Sequence, residues 1–321
     1  MAALLQVKDL QKYFPVRAGL LGRVSHFVRA VDGVSFAIGE RETLGLVGES
    51  GCGKTTVGRS ILRLTEPTGG AIFYKDVRLD QLTKGQLRKY RPELQIVFQD
   101  PYSSLNPRRI VLDLVGEGLS EHHRVKNGAE KQERVVELLE QVGLPSGILY
   151  RYPHEFSGGQ RQRLAIARAL SLNPQLIVCD EAVSALDVSI QAQIINLLRE
   201  LRERLGIAYL FIAHDLAVVK HISHRIAVMY LGQIMEIAPT TELFEQPVHP
   251  YTLALLSAVP VADPDYQRPR LQLAGEVTAA GSAGGCRFAP RCPARLAICQ
   301  KEEPPFVAKG TDHFVKCFLA K

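Results

Sequence analysis

A glycine-rich loop between a short apolar segment and a helical pattern constrains this chain more than any other feature. The segment Thr43–Val47 is followed by the loop Gly48-Glu-Ser-Gly-Cys-Gly-Lys-Thr-Thr56, and Val57, Ile61 and Leu64 then recur at helical spacing. Glycines let successive backbone N–H groups turn toward an anion at a helix N-terminus. The spacing G-x-x-x-x-G-K-[ST] between a strand and a helix therefore predicts a phosphate-binding loop (P-loop) in an α/β fold.

The residue types in this loop each have an expected role toward a nucleotide. Lys54 supplies a positive charge for the β- and γ-phosphates, and the Thr55 hydroxyl is a ligand for Mg²⁺. The residues predicted to bind a nucleotide, which the family resemblance described below implies is ATP, are Gly48, Glu49, Ser50, Gly51, Cys52, Gly53, Lys54, Thr55 and Thr56. The competing interpretation is a turn that only caps a helix, and the flanking strand and helix patterns argue against it.

Two carboxylates follow a second buried strand pattern. Leu176–Cys179 is apolar, and Asp180 and Glu181 come directly after it. We expect Asp180 to hold Mg²⁺ through water and Glu181 to polarise the attacking water. Solvated acids at a strand end are the alternative, and they are common in α/β folds. The P-loop elsewhere in the chain favours the catalytic interpretation.

Strand and helix patterns alternate along the chain, which predicts an α/β core with a parallel sheet. Strand patterns lie at Leu5–Leu10, Ala30–Ala37, Thr43–Val47, Gln95–Phe98, Leu176–Cys179 and Ala208–Ile212, with a closing hairpin at Arg225–Tyr230 and Gln233–Ile237. Helical patterns lie at Lys54–Leu64, Ala129–Val142, Arg163–Leu172 and Val188–Leu205. Residues 101–170 show no strand pattern and are predicted to form a helical insertion, and the Pro-rich and small-residue stretch 260–285 a linker.

Composition excludes several classes of protein. Apolar residues make up 46% and charged residues 22%, which is typical of a globular chain and excludes wholesale disorder. We find neither a membrane-spanning segment nor a secretory signal, so we expect the chain to stay in the cytosol. The net charge of +6 suits phosphate ligands or an anionic membrane surface but is too small to require nucleic acid, so no nucleic-acid partner is expected.

A further motif supplies a family resemblance. Phe156-Ser-Gly-Gly-Gln160 lies between the P-loop and the acidic strand. This order of motifs over residues 1–258 resembles the ATP-binding-cassette (ABC) ATPases. The resemblance implies an α/β P-loop NTPase with a RecA-like core, an antiparallel β subdomain and a helical subdomain at about 101–170. A small Cys-rich C-terminal region at 259–321 would follow the nucleotide-binding domain.

The resemblance also implies roles for single residues. Gln99 matches the Q-loop and would bind ATP and, with Thr55 and Asp180, Mg²⁺. Phe14 matches the aromatic residue that stacks on adenine, with Tyr13 adjacent. Glu181 and His214, the latter matching the switch histidine, would be catalytic. Ala182 stands where many relatives have Pro, which leaves the carboxylates intact.

The signature and D-loop residues would act on the nucleotide of an opposite subunit. These residues are Ser157, Gly158, Gly159, Gln160 and Asp187, the last within Ser184–Asp187. Because the chain carries one P-loop and one signature, it cannot close a site on itself. The implied partners are a second ABC ATPase subunit, by resemblance a paralogue, two transmembrane permease subunits and, indirectly, a solute-binding protein. Homodimerisation stays open. The implied location is peripheral, at the cytoplasmic face of the membrane.

Four other segments resemble the peptide/nickel importer branch, and most of all its dipeptide-permease ATPases. They are Gln99–Pro107, Tyr152–His154, Pro247–Thr252 and Gly285–Pro293. The implied function is an ATPase that energises import of dipeptides, oligopeptides or related solutes. Nickel chelates and opines remain open as substrates. A soluble ABC ATPase on ribosomes or DNA is disfavoured, since the chain has one cassette and no long coiled-coil insertion. A regulatory protein without hydrolysis is disfavoured by the intact catalytic residues.

Four of the six cysteines crowd into the C-terminal region. Cys286, Cys292, Cys299 and Cys317 would bind metal more readily than form disulfides in a reducing cytosol. Their spacing lacks the paired C-x₂-C of common zinc ribbons. The branch resemblance implies a [4Fe–4S] cluster at these positions, and all-thiolate ligation suits one. Zinc and unmetallated thiols remain the alternatives.

Overall fold

The computed structural model of the chain describes residues 3–18, 23–259, 271, 273 and 284–320. The strands are β1 (Ala3–Ala18), β2 (Arg23–Gly39), β3 (Thr43–Val47), β4 (Gly69–Tyr74), β5 (Val77–Arg78), β6 (Leu94–Val97), β7 (Leu176–Asp180), β8 (Ala208–Ala213), β9 (Arg225–Tyr230), β10 (Gln233–Pro239), β11 (Phe306–Ala308) and β12 (Phe314–Lys316). The helices are α1 (Lys54–Ile61), α2 (Lys84–Arg88), α3 (Pro101–Ser104), α4 (Val111–Glu121), α5 (Gly128–Gln141), α6 (Gly158–Leu170), α7 (Val188–Leu205), α8 (Leu216–Ile222), α9 (Thr240–Glu245) and α10 (Pro250–Ser257).

Most elements agree with the sequence patterns. The predicted bounds of β3, α7 and β9 match, and residues 101–170 contain helices and no strand, which confirms the helical insertion. Helix α6 begins at Gly158, five residues before the predicted start, because Ser157 caps it. The predicted linker 260–285 lies mostly outside the described residues. No helix in the described part of the chain combines the length and apolarity needed to span a membrane.

The first of two compact units includes Ile38–Thr43 and Gln81–Ile212. Its sheet is parallel, with β7 between β6 and β8, so that Leu176 lies beside both Leu94 and Ala208. Every residue of β7 and β8 is buried, as expected for a parallel strand with both faces covered. Helix α6 packs against α3, α4, α5 and α7, so the helix that follows the signature is central to the helical part of this unit.

The second unit includes Ala3–Ala37, Leu44–Asp80 and the described residues of Ala213–Lys321. Strands β2, β1, β4 and β5 form one sheet in that order, with β1 antiparallel to β4 and β4 to β5. The remaining strands of this unit follow one another in the order β11, β12, β10, β9, β3. Strands β3 and β9 are parallel, and the pairs β9–β10, β10–β12 and β11–β12 are antiparallel.

A buried carboxylate fixes the C-terminal hairpin of the second unit to β10. Glu236 is fully buried and accepts hydrogen bonds from the N–H groups of Val248 and His249, at 2.9 and 3.0 Å. The ring of His313, which precedes β12, places Nε2 at 2.8 Å from Glu236 and Nδ1 at 2.7 Å from Glu242. One histidine therefore joins the hairpin to both β10 and α9.

Candidate functional site

The P-loop of the second unit requires glycine where the backbone approaches other strands. Gly48 and Gly53 have φ of 155° and 108°, which side chains rarely adopt. A Cβ at Gly48 would lie 2.1 Å from the carbonyl oxygen of Met229, and one at Gly53 would lie 2.1 Å from that of Ala30. These close approaches and φ angles explain why the loop has glycine at both positions.

Lys54 is ordered inside this loop. Its side chain is 4% exposed, and Nζ donates to the carbonyl oxygens of Gly48 and Glu49 at 2.8 and 3.0 Å. Burial raises the pKa of the neighbouring Cys52 thiol, which favours the neutral form. The loop thus contains the Lys54 ammonium group held in place and a neutral Cys52 thiol, and this combination suits an anionic ligand.

The N-terminal turn of α10 supports the loop from one side. The N–H of Glu49 donates to the Tyr251 hydroxyl at 2.9 Å. Tyr251 is held in turn by its own N–H, which donates to Nδ1 of His249 at 3.0 Å. Burial lowers the pKa of His249 to about 4, so Nδ1 can accept this bond at neutral pH. In the sequence, Pro247–Thr252 stood out only as a branch motif, and no pattern there predicts its contact with the P-loop.

The two aromatic residues on β1, Tyr13 and Phe14, have different surroundings. The Tyr13 hydroxyl donates to the carboxylate of Asp32, and burial raises the Tyr13 pKa. The Phe14 ring is 40% exposed, with Nζ of Lys12 at 4.9 Å from its centre. An exposed ring beside a hydroxyl already engaged in the fold is consistent with Phe14 as the stacking residue.

In the first unit, the structure brings Gln99 and Glu181 together. Asp180 ends β7 and is 2% exposed, whereas Glu181 is half-buried and has φ of 49°. The Gln99 amide donates to Glu181 Oε2 at 2.9 Å, and the N–H of Glu181 donates to the carbonyl oxygen of Ile212 at 3.0 Å. A left-handed conformation is strained for glutamate and is often found at functional sites.

The signature residues cap helix α6. The Ser157 hydroxyl accepts from the N–H of Gln160 at 3.4 Å, and the Gln160 side chain accepts from the N–H of Ser157 at 3.1 Å. This capping box fixes the first turn of the helix and leaves Ser157 exposed. Asp187 is exposed at the N-terminus of α7, and the preceding turn is closed by the Ser184 hydroxyl, which donates to the carbonyl oxygen of Glu181 at 3.0 Å.

The predicted site residues are divided between the two units. Gln99, Asp180, Glu181, Ser157–Gln160 and Asp187 belong to the first, and Tyr13, Phe14, Gly48–Thr56 and His214 belong to the second. His214 follows β8 and is exposed. Apart from Tyr13 and Phe14, which lie within β1, the residues occupy strand ends, loops and helix starts, where ligand contacts are usually made.

Four cysteines of the second unit line one pocket. Cys286, Cys292, Cys299 and Cys317 contribute to its wall, and all are free thiols. Burial raises the pKa of Cys286 to about 11. Nowhere in the described residues does a group of three or more His, Cys, Asp or Glu form a set that could hold a metal ion. The thiols share a pocket, and their arrangement gives the predicted iron–sulfur cluster no further support.

Comparison with known families agrees with the fold and the motifs. A family model described as ABC transporter matches residues 31–184. A second, described as the C-terminal region of oligopeptide/dipeptide transporters, matches residues 235–299. The dimeric post-hydrolysis structure of the ATP-binding cassette MJ0796 with ADP and Pi aligns with a TM-score of 0.66 and 29% identity, over 74% of this chain and 98% of that one. These findings define an ABC-type ATPase.

Several curated proteins extend the similarity to most of the chain. The oligopeptide transport ATP-binding protein AppF of Bacillus subtilis is 51% identical over 98% of this chain and 97% of its own length. The probable peptide ABC transporter ATP-binding protein y4tS of Sinorhizobium fredii is 50% identical over 99% and 90%. The glutathione import ATP-binding protein GsiA of Escherichia coli K12 is 57% identical over 83% of this chain, which spans 42% of that protein. The chain belongs to the ABC transporter family, among the ATP-binding proteins with an oligopeptide/dipeptide transporter C-terminal region. It is an ATPase subunit that energises such a transporter.

Proposed function

We propose that this ATPase drives the import of dipeptides, oligopeptides or related small solutes. The observation that carries the proposal is the 51% identity to an oligopeptide transport protein across nearly the whole chain. That similarity includes the C-terminal region, which lies beyond the match to the general ABC transporter model. Sequence similarity confined to the ATP-binding cassette would indicate only that the chain hydrolyses ATP for a transporter.

Transport in a defined membrane tests the substrate class. The chain would be reconstituted in proteoliposomes with the proposed permease, second ATPase and solute-binding subunits of its transporter. We expect ATP-dependent uptake of labelled di- or oligopeptides, with nickel chelates and opines taken up no faster than in vesicles without ATP. Uptake of a nickel chelate or opine alone would contradict the peptide proposal and leave the ATPase function standing.

The proposed nucleotide chemistry assigns a role to each of the predicted site residues. Phe14, with Tyr13 beside it, and Gly48–Thr56 would bind ATP, and Thr55, Gln99 and Asp180 would hold its Mg²⁺. Glu181 would polarise the attacking water, and His214 would contact the γ-phosphate. The hydrogen bond from Gln99 to Glu181 supports this proposal, because it orients a carboxylate oxygen directly after a buried strand that ends in Asp180.

Partnership with a second ATPase subunit completes the proposal. The exposed signature residues Ser157–Gln160 and Asp187 would act on the nucleotide of the opposite subunit, so the isolated chain should be a poor ATPase. Two permease subunits would hold the pair at the cytoplasmic face of the membrane. Fractionation tests this: the chain should sediment with membranes when the permease subunits are co-expressed and should remain in the supernatant without them.

We also propose a [4Fe–4S] cluster at Cys286, Cys292, Cys299 and Cys317. The proposal rests on the donor chemistry of the four thiols and not on their arrangement, and on a segment that has only short regular elements such as β11 and β12. A bound cluster would supply covalent cross-links to this segment, a structural role.

Anaerobic purification followed by iron and sulfide analysis tests the cluster. We expect about four irons per chain, as in any [4Fe–4S] centre. Cys292→Ser should lose the iron, whereas Cys179→Ala, at a buried thiol outside the pocket, should retain it. Zinc in place of iron, or metal-free protein with four reactive thiols, would contradict the proposal.

A further inference from the structure

The C-terminal cysteine segment, Cys286–Cys292, contacts the P-loop through an ion pair. Nη1 of Arg291 lies 2.8 Å from Oε2 of Glu49, the second residue of the loop. The two side chains are only 10% and 26% exposed, and the Arg291 guanidinium lies 5.9 Å from the centre of the Tyr230 ring. Shielding from water makes such a pair stronger than the fully exposed ion pairs of a protein surface.

A second arginine of the same segment, Arg287, contacts the β9–β10 turn, which lies next to the loop. Arg287 donates to the carboxylate of Asp32 and to the carbonyl oxygen of Leu231. The next residue, Gly232, donates its N–H to the carbonyl oxygen of Cys52 in the P-loop at 2.8 Å. Arg287 therefore holds the β9–β10 turn that contacts the loop.

Aromatic packing joins the segment to the loop independently of charge. Phe288 is 1% exposed and packs edge-on against Tyr230, with ring centres 5.3 Å apart. It also packs against Tyr251 at 5.4 Å, and the Tyr251 hydroxyl accepts the hydrogen bond from the N–H of Glu49. The side chain of Glu49 is thus paired with Arg291 of the segment, and its backbone N–H is bonded to Tyr251, which packs against Phe288 of the segment.

The charge of Glu49 explains why this support matters for an anionic ligand. A carboxylate in a phosphate-binding loop opposes a triphosphate unless a cation neutralises it, and a partly buried charge is poorly screened by solvent. Lys54 is bonded to the carbonyl oxygen of Glu49 and not to its carboxylate. Arg291 supplies the compensating charge from 242 positions away in sequence.

We infer that Arg291 is a positioning residue of the P-loop: by neutralising and holding Glu49, it makes nucleotide affinity depend on the folded cysteine segment. The inference rests on the proposed role of Gly48–Thr56 as the ATP-binding loop. It requires no particular metal, since anything that orders or unfolds Cys286–Cys292 would act on the loop through the same contact.

Equilibrium binding of a fluorescent ATP analogue with Mg²⁺ to the purified full chain tests the inference. Arg291→Ala should raise Kd about tenfold, which corresponds to about 1.4 kcal/mol. Arg291→Lys should recover part of the loss, because it keeps the charge but not the planar guanidinium. In the assembled complex, KM for ATP should rise while kcat stays the same. Arg295→Ala, at an exposed arginine of the same C-terminal region, is the matched control and should bind normally.

Removing the opposed carboxylate distinguishes this role from a merely structural one. In the Glu49→Gln background, Arg291→Ala should change Kd by less than about twofold, since no charge is left to neutralise. If Arg291→Ala does not fold, as judged by thermal denaturation, Arg291→Gln takes its place in the same cycle.

Two outcomes overturn the inference. One is a wild-type Kd in the Arg291 variants. The other is a loss of affinity on Arg291→Ala that is equally large in the wild-type and the Glu49→Gln backgrounds. Lys54→Ala separates this result from failure of the ATP-binding loop: if Lys54→Ala also binds normally, the loop proposal is wrong, and if only Lys54→Ala loses binding, Arg291 has no positioning role.

Discussion

The two units hold their charged residues in different ways. In the second unit, Lys54 is buried and bonded to two carbonyl oxygens, and Glu49 is paired with Arg291. In the first unit, Glu181 is half-buried, has a left-handed backbone and accepts a hydrogen bond from the Gln99 amide. The second unit resembles a preorganised binding surface, and the first holds a strained carboxylate suited to reaction. Variants of Glu181 and of its partner Gln99 should therefore change turnover, and variants of Lys54 and Phe14 should change affinity.

The largest effect is expected for Glu181→Gln. The amide keeps the size of the side chain but cannot accept a proton, so kcat of the assembled transporter should fall ~10²–10⁴-fold. Kd for ATP should stay close to that of the wild type, and steady-state ATPase and binding assays measure the two. Glu200→Gln, at an exposed carboxylate on α7, is the control. A rate within about twofold of wild type would remove Glu181 from the mechanism.

Lys54→Ala should have its effect on affinity instead. Loss of the buried ammonium removes charge-assisted hydrogen bonds to phosphate, so Kd for ATP should rise about 100-fold, or about 2.7 kcal/mol. Isothermal titration calorimetry on the full chain measures it. Lys220→Ala, at an exposed lysine of the same unit, should bind normally. A lowered kcat with an unchanged Kd for ATP would contradict the assignment of Lys54 to nucleotide binding.

Gln99→Ala should change turnover moderately. Glu181 would lose one hydrogen bond of about 0.5–1.5 kcal/mol, so kcat should fall roughly 2- to 12-fold. ATPase rates of the assembled complex at saturating ATP measure it. Gln95→Ala is a matched control, because that side chain donates to the carbonyl oxygen of Arg91 and not to Glu181. Equal rates for the two variants would mean that the bond from Gln99 does not orient the carboxylate.

Phe14→Ala should have an effect of the same size as Gln99→Ala, but on affinity. Ring stacking contributes about 0.5–1.5 kcal/mol, so Kd for ATP should rise roughly 2- to 12-fold, with kcat unchanged. Phe14→Tyr should bind as the wild type does, since it keeps the ring. Phe27→Ala, at an exposed ring on β2, should show no effect in the same binding assay. Should Phe14→Ala match the wild type, the adenine contact lies elsewhere.

How much the sequence could predict depends on how local each feature is. The P-loop was predictable because its glycines and Lys54 have a fixed spacing between a strand and a helix, although the contacts that require Gly48 and Gly53 come from the distant residues Met229 and Ala30. Strands β4 and β5 were not predicted, since their short segments gain order from pairing with β1 and with each other. The pairing of Arg291 with Glu49 could not be inferred, because no pattern in one sequence joins positions so far apart. The same limit applies to the thiols: their number was visible, but the shared pocket was not.

The contact of His313 with Glu236 has a consequence for the making of the protein. The two residues are 77 positions apart, so β10 leaves the ribosome long before the partner of its buried acid. Leaving a buried hydrogen-bonding group without its partner costs about 1–3 kcal/mol, a large fraction of the stability of an ordinary domain. A polypeptide interrupted between these positions would lack both the imidazole and β12, which pairs with β10 at Glu236, and proteases degrade destabilised chains first. We therefore expect chains that end before His313 to be shorter-lived in the cell than the full-length protein.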